Sequence, residues 1–432
     1  MKVRLDEVCN IYKGKTTITK AIPGEYPLVV TAENRASHNE YQFDCKAVCV
    51  PLVSATGHGH ASIKRLHYQE GKFALGTILS AVIPKDENIL DTRYLYIYLS
   101  YFKDSVLVPL MRGSANVSLT IKSLGSAEIE LPPIEKQKSI VELVTKIEKY
   151  KNEVDKKLEE QTRIVSLLRN EILGLAVKGK PVPQDENDEP ASVLIERIKA
   201  EKDRLIKEKV IKKEKYNSEI DINEELPIGW SFIKIGDVSS VVTKQTGFDY
   251  SKHIKPNLEH IKKDDNIPMI QTKNFTGYIF NTNTDYYISE EIAKKFPKIL
   301  LYKKCMLLSI VGASIGNLGV YTLNKTCFLG GAICKVDLLD DRFYDFIYYF
   351  MKSTRGQLEI KKNYKSTAQG TITVQDVREI IVPLPPLNEQ KRIVEKVDNL
   401  MKVCDELELR IEESKKYNEK LMESILKESF KA

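Results

Sequence analysis

PLPPLNEQKRIVEKVDNL (residues 383–400) has a near-copy more than half the chain earlier, LPPIEKQKSIVELVTKI (131–147). Each copy holds a Pro-Pro pair, a Gln four residues past the second Pro, then a Lys, and Ile-Val two residues later. The residue before a Pro avoids the helical region, so each pair marks a sharp break between a strand and a following helix. A single chain therefore launches the same kind of helix twice.

Both helices carry a heptad seam. Ile140, Val144, Ile147, Val154, Leu158, Val165, Leu168, Ile172 and Leu175 recur at alternating gaps of four and three once Lys151 and Gln161 are counted as polar members. The second copy keeps the register through Ile393, Val397, Leu400, Cys404, Leu407, Ile411, Ser414, Asn418, Leu421, Ile425 and Glu428. Neither run contains Pro, and about 40 residues at 1.5 Å rise make each helix roughly 60 Å long. A narrow apolar seam on so long a rod needs a partner, and matched length and register make each helix the other's partner. The competing reading places each helix on its own domain.

The repeat extends upstream. SLTIKSLGSAEIELPP (118–133) aligns with TITVQDVREIIVPLPP (371–386), pairing Thr120 with Thr373, and RLDEVCNI near the start resembles KIGDVSSV. Short β-branched and aromatic runs such as EYPLVVT, KAVCVPLV, NIPMIQT and CMLLSIVG, broken by Gly and Asn turns, predict mixed strands with a helix or two. The expected fold class is α+β. Two mixed α/β domains are separated by a long antiparallel two-helix coiled coil, and a pseudo-two-fold relates the halves. The boundaries are 1–133 for the first domain, 134–222 for the first helix with a linker and a short helix, 223–386 for the second domain and 387–432 for the second helix. The linker is Pro- and acid-rich, its charged helix begins near Pro190, and Trp230 marks the start of the second domain.

Composition bounds the rest. Hydrophobic content of 42% and charged content of 29% describe a soluble globular chain, and no apolar run has the length of a membrane helix. The first ten residues lack a signal-peptide core. Seven cysteines in no repeated pattern point to a reducing cytoplasm and away from a disulfide framework. The formal charge of +6 falls within residues 1–133 and 223–385, while the remainder balances. A caliper with basic ends suits a long, regular, two-fold target, and duplex DNA leads that class.

These features resemble the specificity (S) subunit of Type I restriction-modification systems. The likeness rests on the duplicated LPPIEKQ and LPPLNEQKRIV, on PVPQDENDEPASVLIERIKAEKDRLI, on LPIGWSFIKIGDV and on SIVGASIGNLGVY, and it covers essentially the whole chain. It implies two target-recognition domains, each reading half of a split double-stranded DNA sequence. It also implies a helical spacer that docks two modification (methyltransferase) subunits, to which restriction (translocase/nuclease) subunits can be added. S-adenosylmethionine would serve the partner methyltransferase, and no cofactor is expected on this chain. The first domain departs from the pattern. It lacks an LPxGW head, and its SATGHGHASIKRLHY matches SIVGASIGNLGVY only loosely, so the two domains should read different half-sequences.

No catalytic motif stands out. Both Pro-Pro pairs follow Leu, which excludes the amino-methylation signature. Neither GHGHAS nor GASIGNLG has the context of a phosphate loop. His58 and His60 lack a third metal ligand. A stand-alone DNA-modifying enzyme and a structural coiled-coil adaptor remain as alternatives. For DNA contact the richest stretch is KSTRGQLEIKKNYKSTAQGT, with Arg355, Lys361, Lys362, Lys365 and Gln369. The first domain's shorter counterpart, MRGSANVS, offers Arg112 and Asn116. Lys13, Lys15, Asn34 and Arg35 complete the first set, and Gln271, Lys273 and Asn274 the second. Lys and Arg neutralise phosphates, while Arg, Asn and Gln pair with base edges.

Overall fold

The structure, a computed structural model, describes residues 1–56, 60–114, 116–364 and 370–431. It divides into two compact units, Met1–Leu158 with Ser414–Ala432, and Glu159–Glu413.

In the first unit the elements run β1 (Lys2–Arg4), α1 (Leu5–Val8), β2 (Cys9–Lys13), β3 (Tyr26–Val29), β4 (Ala36–His38), β5 (Phe43–Asp44), β6 (Ala47–Pro51), β7 (His67–Gln69), β8 (Lys72–Leu75), β9 (Leu79–Pro84), α2 (Thr92–Val106), α3 (Ile121–Gly125) and β10 (Glu128–Glu130). β1 pairs antiparallel with β10, so the domain closes on its own beginning. One four-stranded sheet has the order β2-β9-β6-β7 and a second the order β4-β3-β8-β5. β3 and β8 are parallel within an otherwise antiparallel second sheet. α2 begins at Asp91, whose carboxylate accepts from Tyr94 N at 2.8 Å, and it buries Tyr94, Leu95 and Leu99 against Val48, Val50 and Val82.

From β10 the chain passes through Pro132 and Pro133 into α4 (Ile134–Ala176), then α5 (Ala191–Lys207). The second domain follows with β11 (Ser231–Lys234), α6 (Ile235–Val238), β12 (Ser239–Thr243), α7 (Tyr250–His253), β13 (Leu258–Glu259), β14 (Asn266–Ile270), β15 (Phe275–Thr276), β16 (Ile279–Phe280), β17 (Tyr287–Ser289), α8 (Glu290–Lys294), β18 (Leu300–Leu301), β19 (Cys305–Ser309), β20 (Leu318–Tyr321), β21 (Cys327–Leu329), β22 (Ile333–Leu338), α9 (Tyr344–Lys352), α10 (Thr354–Lys361), α11 (Val374–Arg378) and β23 (Ile381–Leu384). α12 (Leu387–Lys431) ends the chain. The sheets repeat the first domain's plan. β12-β22-β19-β20 matches β2-β9-β6-β7, and β17-β14-β21-β18, with β13 added at the edge, matches β4-β3-β8-β5. β14 and β21 form the second domain's parallel pair. Thr120 and Thr373 cap the matched helices α3 and α11, accepting from Ser123 N at 3.0 Å and Asp376 N at 3.1 Å.

The shared Gln has a structural reason. Gln137 is fully buried, donates to Pro132 O and Ile89 O, and accepts from Asp91 N, each at 2.8 Å. It stitches the first turn of α4 to the strand exit and to the start of α2. Gln390, equally buried, donates to Pro385 O at 2.8 Å. A Pro carbonyl just ahead of a helix needs a donor, and the Gln side chain supplies it in both copies.

The long helices are 43 and 45 residues. Within the first unit, Ile140 and Val144 join the domain core where Leu426 and Phe430 of α12 also pack, and Asn418 Nδ2 donates to Asp155 at 3.4 Å. Rising numbers on α4 meet falling numbers on α12, so the helices run antiparallel. Within the second unit Arg169 bonds Asp405 at 2.5 Å and Glu408 at 3.1 Å, while Gly179 lies beside Glu389, again antiparallel. One heptad column closes: Val144, Leu158, Val165 and Ile172 on α4, and Val397, Cys404, Ile411 and Asn418 on α12, are all buried. The other column is buried near the start of each helix, at Ile140, Ile147 and Ile393, and opens farther along, where Val154, Leu168, Leu407 and Leu421 stay 36–41% exposed. Two helices cover the centre of each apolar stripe and leave its flank to water.

Pro190 occupies the N-cap of α5 rather than its first turn. Three residues past the end of α4, Gly179 has a φ of 67° that suits a left-handed turn, and a Cβ there would fall 2.8 Å from the Trp230 ring. Residues 208–222, given to the linker by sequence, are fastened to the second domain. Glu214 pairs with Arg378 at 2.7 Å, and Tyr216 OH donates to Asp237 at 2.8 Å. Among the described residues no helix is long and apolar enough to cross a membrane.

Candidate nucleic-acid interface

Parallel neighbours end on the same side of a sheet, so their outgoing loops diverge and leave a crevice. Each domain has one. In the first, Leu28 and Val29 register with Ala74 and Leu75, and Gly76 N donates to Val29 O at 3.0 Å. Beyond lies a cleft of about 280 Å³ walled by Thr31, Val53, Lys64, Arg65 and Ile78. In the second, Met269 and Ile270 register with Phe328 and Leu329, and Gly330 N donates to Ile270 O at 2.8 Å. A Cβ on Gly330 would meet that carbonyl at 2.4 Å, so the turn requires glycine. The cleft there is about 840 Å³, walled by Tyr250, Lys255, His260, Gln271, Thr272 and Lys273 among others. Both clefts carry cations, and Thr31 and Thr272 occupy the same step after the matched strands.

A second tie recurs beside the clefts. Val53 bridges Ser118 and Ser54 N donates to Val117 O at 2.9 Å; Val311 bridges Thr371 and Gly312 N donates to Gly370 O at 2.9 Å. These bridges bring the far ends of MRGSANVS and of the basic KSTRGQ…GT segment back to the loop after the central strand, β6 or β19.

Of the residues named from sequence, those within the described residues fall into three groups. Gln271 and Lys273 line the second cleft, where Lys273 pairs with Asp285. Lys13, Lys15, Asn34, Asn116, Lys361 and Lys362 are exposed, and Gln42 clamps the Lys13–Lys15 backbone from both sides. The third group is occupied by internal work. Arg35 bonds His67 Nδ1 at 2.9 Å, Gln69 Oε1 at 3.0 Å and Tyr68 O at 3.2 Å, which fastens β7. Arg112 donates to Pro109 O and Met111 O. Asn274 is buried, accepts from Gln271 N at 2.9 Å and holds the turn after β14. Arg355 forms a two-pronged pair with Glu224 at 2.7 and 2.8 Å. Lys365, Gln369 and His58 lie outside the described residues. The clefts add Lys64, Arg65 and Lys255, which sequence reading passed over although the Lys-Arg doublet sits in the quoted SIKRLHY. Burial and the neighbouring Arg35 and Arg65 push His67 down to about 4.

This geometry, present twice in one chain, has relatives. The profile described as Type I restriction modification DNA specificity domain matches residues 1–163 and 227–414, both halves of the repeat. The chain belongs to this family. It is 26% identical over 265 residues to the Type I restriction enzyme EcoAI specificity subunit of Escherichia coli, covering 58% of this chain. The match spans only 42% of that subunit's length. With the EcoDI specificity subunit of Escherichia coli it is 23% identical over 442 residues, covering 99% of this chain and 87% of the relative. A chain from a solved structure described as the structural basis of complex assembly and conformational transition of the type I R-M system superposes with a TM-score of 0.64 at 16% identity. It covers 100% of this chain and 97% of that one, a likeness of fold.

Proposed function

We propose that this chain is the DNA-specificity subunit of a Type I restriction-modification complex, each domain reading one half of a bipartite duplex target. The observation that carries the reading is the duplication of one two-sheet domain, rooted through the same Pro-Pro-Gln joint on an antiparallel helix pair, with the family profile matching both halves. The helices set the distance between the half-sites. Their uncovered apolar side chains dock two modification subunits: Tyr150 and Tyr417 in the first unit, and Ile164, Leu167, Val403 and Leu409 in the second, are 50–69% exposed. Such side chains are what a partner helix or sheet would cover. The chain itself is non-catalytic. Methyl transfer belongs to the partner, which would hold S-adenosylmethionine, and restriction subunits complete the nuclease in the cytoplasm.

Methylome sequencing of a host carrying and lacking this chain, with the modification subunit present in both, tests the reading. A split motif methylated only when the chain is present is expected. Identical methylomes, or methyl transfer by the purified chain alone, would contradict it.

A further inference from the structure

The two clefts share a frame and differ in what faces the open space. Thr31 with Thr272, and Gly76 with Gly330, hold equivalent places around the parallel strands. At the step after the strand, however, the first domain has the buried Val30 where the second has Gln271. The first domain instead turns Lys64 and Arg65 toward its cleft, and the second turns Lys255 and Lys273.

The resting partners of these side chains are weak ones. Arg65 is paired with Glu33 at 2.8 Å, and the Glu33 side chain is 80% exposed. An ion pair so open to water contributes little and is readily exchanged for another acceptor. Gln271 Oε1 is buried and accepts no hydrogen bond among the described residues. An idle buried acceptor is costly, so a rotation of the amide into the cleft is favoured as soon as a donor arrives there. Lys64 and Lys255 have no carboxylate within ion-pair distance among the described residues.

We infer that the rims of these two clefts are where bases are read, by Arg65 for one half-site and Gln271 for the other, with Lys64 and Lys255 gripping phosphate. The chemistry also assigns the bases. A forked guanidinium matches O6 and N7 of guanine, and a carboxamide matches N6 and N7 of adenine. The inference rests on the specificity-subunit reading and goes further by naming the side chains and their bases.

The test uses the full chain co-expressed with its modification subunit, and sequencing of the methylated motif. Arg65→Lys should relax one guanine position in one half, lowering discrimination there by roughly 5- to 150-fold. Gln271→Glu should relax an adenine position in the other half. Unchanged motifs in both variants overturn the assignment, as does a single substitution that alters both halves. If the wild type gives no split motif, the specificity-subunit reading fails first and the clefts fall with it. Should a variant lose all methylation, Arg65→Gln and Gln271→Asn replace it. Either one, folded with an unchanged melting temperature, supports the inference by relaxing one half and overturns it by methylating the original motif.

Discussion

Gln137 and Gln390 hold the same place after their Pro-Pro pairs, yet the first amide joins three backbone groups and the second only one. Gln390 Oε1 is buried without a partner among the described residues, whereas Gln137 Oε1 holds Asp91 N. The same contrast runs through the two domains. Their two main sheets share four strands each in the same order, but β7 of the first is pinned by the Arg35–His67–Gln69 cluster, and the matched β20 has Gly319 where β7 has His67. Burial and backbone pairing keep the frame, while each domain has found its own polar fastenings. Substitutions in the frame should therefore cost the two halves alike, and substitutions at the fastenings should cost them differently.

The largest effect belongs to the frame. Ile140→Ala and Ile393→Ala, at matched and buried positions, should each lower stability by about 3 kcal/mol. Val154→Ala and Leu407→Ala, matched positions at 36% and 37% exposure, should cost about 1 kcal/mol. Denaturant titration of the full chain checks both pairs, and a large difference within either pair breaks the claim of a common frame.

The joints come next. Gln137→Leu strands the Asp91 amide and two carbonyls and should cost about 2–3 kcal/mol. Gln390→Leu removes one bond together with an idle acceptor and should cost about 1 kcal/mol or less. Equal losses would mean that the second joint has a partner for its oxygen.

A pH effect is expected from His67 in the first domain. Burial and the cations Arg35 and Arg65 hold His67 at about 4, against an ordinary 6.5. In that window the unfolded chain binds the proton and the folded one does not. Stability from this group is therefore complete above about 6.5 and falls as pH drops toward about 4. Melting of wild type and His67→Gln from pH 7 to 4 measures it: the difference between them should change across that window, and a constant difference contradicts the assignment. The smallest effect is expected in the second domain when Lys361, Lys362 and Lys365 become Ala, and it grows as salt falls. DNA binding should weaken across sequences, with the salt slope falling by about 0.9 for each lost phosphate contact.

Much of this frame was legible in the sequence because it is periodic. The heptads, the Pro-Pro breaks and the paired Thr120 and Thr373 each follow from local backbone rules, and all three appear in the structure. The half-open seam was not legible, since heptad spacing shows which residues share a stripe and not how much of it one partner covers. Nor were the fastenings. Arg35, Arg112, Asn274 and Arg355 have the right chemistry for DNA, but partners more than 30 residues away engage Arg35 and Arg355, and nearby backbone or turn contacts engage the other two. Lys64, Arg65 and Lys255 become candidates only once the parallel strands show where the cleft lies.

The central claim is that the helix pair is the ruler between two independent readers. Inserting one heptad into each long helix, after Gln161 and after Glu413, keeps the seven-residue columns in register on both. The helices lengthen by about 10 Å, or about 3 base pairs of B-DNA. The methylated motif in cells expressing the lengthened chain is the measurement. The account predicts a gap between half-sites longer by about 3 base pairs with reduced methylation, or loss of methylation where the added groove rotation is not absorbed. An unchanged gap at undiminished methylation would contradict it.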